Sequence, residues 1–103
     1  MIMAATLEHE TFSRYLNTNF RISLSESNSV EAELSAVNDL QLSPQQERFA
    51  IVFRGPREPL LNQGIYHFEH DEMGEFNLFI VPLRQNDDGT FYEAVFNRIR
   101  KAD

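Results

Sequence analysis

The sequence predicts a mainly β domain: about six antiparallel strands as a small barrel or sandwich, with one short N-terminal helix. Three observations carry this reading. From Phe20 onward, apolar residues recur at every second position, the period of a half-buried strand. Turn-forming clusters interrupt the chain at intervals of roughly 10–15 residues, too short for the crossovers that parallel strands need. Helical spacing occurs at the front, where Phe12, Tyr15 and Leu16 stand at i, i+3 and i+4.

The helix comes first. Thr6 is its expected N-cap, and Glu8 and Glu10 in the first turn suit the positive end of the helix dipole. Asn17-Thr18-Asn19 ends it with residues that favour turns. Phe20, Ile22 and Leu24 then alternate with Arg21, Ser23 and Ser25, and Ser25–Ser29 reads as a hairpin connection. Val30, Ala32, Leu34 and Ala36 form the apolar face of the next strand, and Leu40–Gln46 is expected to be loop. Phe49–Phe53 is apolar on both faces, which predicts a well-covered strand. Gly55–Gly64 contains two prolines and cannot be regular; it is the connection able to carry the chain across the sheet. Ile65–His70, Glu75–Leu83 and Phe91–Asn97 complete the strands, with turns at Asp71–Gly74 and Asn86–Gly89. Gly74 and Gly89 are expected at positive φ, which only glycine adopts cheaply. The expected core includes Phe49, Ile51, Phe53, Phe68, Leu78, Ile80, Ala94 and Phe96, and Arg98, Arg100 and Lys101 make a basic tail end.

The chain has 103 residues, so residues 1–103 are expected to form a single domain that buries about 65% of its unfolded surface. Nine Phe and three Tyr can supply a core. Nine Lys+Arg against 16 Asp+Glu give a net charge of −7, which argues against nucleic-acid binding, since phosphate neutralisation needs clustered cations. With no cysteine there is no disulfide framework, no thiol nucleophile and no thiolate metal site. No apolar run approaches the ~20 residues of a membrane-spanning helix. The start of the chain lacks the basic region and long apolar centre of a secretory signal, so a cytoplasmic location is expected.

The densest polar cluster is His67, Glu69, His70, Asp71 and Glu72. A metal-dependent hydrolase would draw on His67, Glu69 and His70, with the distant His9 as a further ligand. On a strand, however, His67 and Glu69 share one face and His70 takes the other, so the expectation is no metal. No Gly-x-Ser-x-Gly elbow supports a nucleophilic triad. Glu31 and Glu33 fit the outward face of an alternating strand, and Asp87 and Asp88 fit turn formation. The EF-hand spacing is absent, and Gly55 and Gly64 do not form a phosphate-cradling turn before a helix. No catalytic residue and no cofactor are expected.

One segment stands out. In Arg54-Gly55-Pro56-Arg57-Glu58-Pro59-Leu60-Leu61 two prolines stiffen a loop that carries adjacent leucines where solvated residues would be ordinary. The leucines can plug an open barrel end and, with Arg54 and Arg57, can belong to a patch for a protein partner; the two roles are not exclusive.

Several runs together carry a resemblance: Phe53-Arg54-Gly55-Pro56, then Leu61, Gln63-Gly64, Tyr66 and Glu69-His70, then Leu78-Phe79-Ile80-Val81-Pro82 and Tyr92-Glu93-Ala94-Val95-Phe96-Asn97. They resemble the DUF6916 type, a family of small bacterial proteins without assigned activity. The resemblance runs from the Leu7–Leu16 helix to Asn97. It implies a single β-rich domain, no cofactor, and genes that often neighbour phage-tail-collar-like proteins. The function expected is therefore a non-catalytic protein-interaction or structural module, accessory to a phage-tail-like or surface assembly, with Arg54, Arg57, Leu60 and Leu61 as its contact residues. A small-ligand-binding β-barrel is the main alternative.

Overall fold

The computed structural model describes residues 7–99. Helix α1 (His9–Arg14) is followed by strands β1 (Asn19–Ser23), β2 (Ser29–Val37), β3 (Gln41–Leu42), β4 (Gln46–Gly55), β5 (Gly64–His70), β6 (Gly74–Asn86) and β7 (Gly89–Ile99). Every pairing is antiparallel. The order β2-β1-β5-β6-β7-β4 closes on itself because β4 also pairs with β2, and β3 adds to the start of β4. The architecture is a barrel, not a sandwich.

Strand order departs from a simple meander. β1, β2 and β4 form one antiparallel run and β5, β6 and β7 another; β1–β5 and β4–β7 pairings seal them together. The chain passes from β4 to β5, which are not neighbours, through the glycine- and proline-bounded loop where the crossing was expected. β4 is long enough to serve several partners. All ten of its residues pair with β7 from Gln46↔Ile99 to Gly55↔Thr90, while its second half also pairs with β2 and its start with β3.

Alternation sends one face of each strand inward. Phe20, Ile22, Leu34, Ile51, Phe53, Phe68 and Ile80 are fully buried, with Phe53 in ring contact with Phe20 and Phe68. Seven of the eight expected core residues are buried; Phe96 is the exception. It lies at the helix end of the barrel, half-buried, stacked on Phe49 at 4.6 Å between centroids and beside Phe12. Its strand runs on past the buried residues, and the Arg98 guanidinium, not an apolar neighbour, lies over the ring at 5.4 Å.

The N-terminal helix is shorter than its spacing predicts. Thr6 lies outside the described residues, and Glu8 holds the N-cap position without a side-chain cap bond. Because helical geometry stops at Arg14, Tyr15 and Leu16 do not extend one face: Phe12 is buried, Tyr15 half-buried and Leu16 exposed. Asn17 then takes a left-handed φ of 68° and turns the chain into β1. Phe12 makes the cap effective by closing the barrel end against Phe49, Phe76 and Phe96.

Other differences are local. Leu24 lies beyond β1, exposed in the hairpin, where its N–H donates to the Asn28 carbonyl. The two residues of β3 form inside the segment expected to be loop, because β4 begins earlier than its apolar run and offers Arg48 and Glu47 as partners. Arg98 is part of β7 rather than a tail, while Arg100 and Lys101 lie outside the described residues.

Gly74 and Gly89 both adopt positive φ, 90° and 141°, and close the β5–β6 and β6–β7 hairpins. Gly89 has a second constraint, since a Cβ there would collide with the Gly55 carbonyl oxygen on β4. Gly89→Ala should therefore destabilise more than Gly74→Ala, whose Cβ position is open. In the core, Phe53→Ala should cost about 3–5 kcal/mol, measured by denaturant unfolding. An unmoved midpoint for Phe53→Ala would mean that this ring does not hold the barrel interior.

Candidate functional site

The segment Arg54–Leu61 spans the barrel end opposite α1. Its two leucines have separate fates. Leu61 is buried, its N–H donating to the Tyr92 hydroxyl at 2.9 Å, so it plugs the barrel and is not a surface contact residue. Leu60 is 56% exposed and faces outward. The loop base is held by the Arg57 carbonyl, which accepts from Gln85 Nε2 at 2.6 Å and from Thr90 Oγ1 at 3.4 Å. Further along, the Tyr66 hydroxyl donates to the Asn62 carbonyl. Backbone on both sides of Leu60 is thereby anchored to β6 and β7, and the side chain is presented on a braced loop.

The two arginines also differ. Arg54 lies at the end of β4 and donates to Glu33 Oε1 on β2 at 2.8 Å, a cross-strand ion pair set by the Glu33↔Arg54 register. Arg57 is more exposed and only loosely paired, with Asp87 at 3.9 Å in the β6–β7 turn. Arg57 is thus the more available cation of this end.

The histidines fall into three environments. His9 bonds through Nε2 to the Asn38 carbonyl and packs edge-on against Phe49, so it does not join the β5 cluster. His70 points inward, against Phe20 and Tyr15. Its Nδ1 accepts from the N–H groups of Glu72 and Met73, both at 3.1 Å, which leaves the ring proton on Nε2 to be donated to Thr18 Oγ1 at 2.9 Å. Thr18 in turn donates to the Tyr15 carbonyl. The neutral imidazole satisfies every partner and ties the β5–β6 turn to the chain between α1 and β1.

His67 and Glu69 share the outer face of β5, as alternation requires. Across the hairpin, Glu75 on β6 joins them: Glu69 and Glu75 are direct register partners. His67 Nε2 lies 2.9 Å from Glu75 Oε1 and 3.8 Å from Glu69 Oε1, while Arg21 on β1 holds Glu69 Oε2 at 3.2 Å. Reading β5 alone finds a pair where the structure assembles three ligand-type groups. The missing signal was in the sequence, because a tight turn through Asp71–Gly74 forces position 75 opposite position 69.

This small closed antiparallel barrel, capped by a helix at one end and a plug loop at the other, has a ring-filled interior, with His70 buried at its edge and the His67–Glu69–Glu75 trio on its outer wall. The family model described as a domain of unknown function (DUF6916) matches residues 7–96, and the chain belongs to that family. No curated protein and no solved structure matches it. Among the described residues no helix is long and apolar enough to cross a membrane.

His70 generates a pH prediction. Burial lowers its pKa below the usual 6.5, against the opposing pull of Glu72 and Asp71. As pH falls, the unfolded chain takes the proton first, so the stabilising contribution is complete above about 6.5 and is lost below it. The melting midpoint should fall between pH 7.5 and 5.5, and His70→Gln should flatten that slope. Equal slopes in the two proteins would show that His70 is not the group responsible.

Proposed function

We propose that this domain is a non-catalytic interaction module that docks another protein through the Arg54–Leu60 end of the barrel, as an accessory to a phage-tail-like or surface assembly. The observation that carries the reading is the braced loop: Leu61 and the Arg57 carbonyl are bonded down, and Leu60 and the Arg57 guanidinium face solvent between them. A segment already ordered loses less entropy on docking than a mobile one. An exposed leucine supplies apolar area, and arginine on a chain of net charge −7 orients an acidic partner. The assembly context is supported by the family resemblance alone.

The small-ligand barrel fits less well, since Phe20, Phe53 and Phe68 occupy the interior a ligand would need. Arg57→Glu tests the interaction reading while sparing the fold, because the long, exposed pair with Asp87 contributes little. Arg54→Glu is less clean, as it would set a carboxylate against Glu33. Partner capture from the native cell should drop at least tenfold for Arg57→Glu and for Leu60→Ser, with melting midpoints nearly unchanged. Undiminished capture by both variants would place the contact surface elsewhere.

A further inference from the structure

We propose that His67, Glu69 and Glu75 form a binding site for a borderline divalent cation of the Zn2+ type on the outer wall of the barrel. The donor atoms lie within 4.8 Å of one another. Nitrogen and oxygen ligands sharing one tetrahedral zinc stand roughly 3.3 Å apart, given bonds of about 2.0–2.2 Å. The 2.9 Å and 3.8 Å separations from His67 Nε2 bracket that value, so small carboxylate rotations complete the geometry.

Three features point to a cation rather than to a chance cluster. Glu69 and Glu75 are directly opposed across an antiparallel pair, where like charges destabilise unless something positive sits between them. Arg21 takes Glu69 Oε2 and leaves Oε1 turned toward the imidazole. His67 Nδ1 lies 3.2 Å from Asn77 Oδ1, its cross-strand partner, and Nε2 donates to Glu75 Oε1 at 2.9 Å. When a cation takes the place of that Nε2 proton, Nδ1–H can donate to Asn77 and keep the ring aimed at both carboxylates. This is the outer support that metal-bound histidines commonly use. Two carboxylates neutralise a divalent ion, and the imidazole nitrogen favours Zn2+ over the oxygen-seeking Mg2+ and Ca2+. The remaining coordination positions face water.

The test is calorimetric titration of the full-length, untagged protein with ZnCl2, with the melting midpoint followed in parallel. One Zn2+ per chain is expected, together with a raised midpoint, because only the folded hairpin holds the three donors together. His67→Ala and Glu75→Gln should each weaken binding at least tenfold. Asn77→Ala removes the orienting group and no ligand, and should cost about 10–100-fold. His9→Ala should leave affinity unchanged. Glu75 is 68% exposed, so its Gln variant remains informative even if His67→Ala perturbs folding. Binding weaker than about 1 mM overturns the proposal. So does binding indifferent to both His67→Ala and Glu75→Gln, which would leave the trio as an ion pair only, or displacement of Zn2+ by equimolar Mg2+ or Ca2+.

Discussion

The fold depends on β4 being paired along both edges. Its ten residues pair with Thr90–Ile99 of β7 on one side, and on the other its second half meets β2 and its first residues meet β3. Without the β2–β4 contact the six strands would be an open sheet, with unpaired backbone along β2 and β4. With it, Ile51 and Phe53 face an enclosed interior, and the rings of Phe20 from β1 and of Phe68 from β5, in the other run of strands, pack against Phe53. Closure and core filling are therefore one event. The two ends are then the remaining openings, and each receives a buried apolar side chain from an adjacent segment: Phe12 from α1 and Leu61 from the loop after β4.

Local chemistry made much of this legible. Alternation in Phe20–Ile22, Val30–Leu34 and Phe49–Phe53 assigned inward residues correctly, but a bulge between Leu34 and Ala36 shifts the parity of β2, so Val37 and not Ala36 packs against the core. The hairpins at Gly74 and Gly89 followed from turn chemistry and glycine's access to positive φ. Barrel closure was harder to see, because β2–β4 pairing is a non-local choice between alternatives that share the same strand pattern. The two-residue β3 has no periodic signal at all. Phe96 fits the inward period but sits where the core ends, and periodicity carries no information about where a layer stops.

The candidate sites divide in the same way. Leu60 and Leu61 are chemically identical neighbours in a loop without a period, so only the three-dimensional path decides that Leu61 turns toward Tyr92 and Leu60 toward solvent. The separation of His67 from His70 was legible, because it needs only strand alternation. The arrival of Glu75 beside His67 needed one step more, the hairpin register, which a turn of known length supplies. Leu16 failed for the opposite reason: its helical spacing is real, but the helix does not last long enough to use it.

One hairpin thus gives adjacent residues unrelated duties. Parity sends His70 inward, where Nδ1 is saturated by two backbone N–H groups and Nε2 by Thr18, so its ring is locked as a neutral strut between the β5–β6 turn and the helix end. Parity sends His67 outward, where Asn77 steadies one nitrogen and two carboxylates surround the other. The first environment is built to exclude positive charge and the second to attract it. Because both arise from the same register, a slip by one residue would exchange the two faces, burying Glu69 and exposing Phe68. The stacked contact of Phe68 with Phe76, 5.8 Å between centroids, opposes that slip from inside the barrel. The polar trio on the outer wall is in that sense held in place by the aromatic core beneath it.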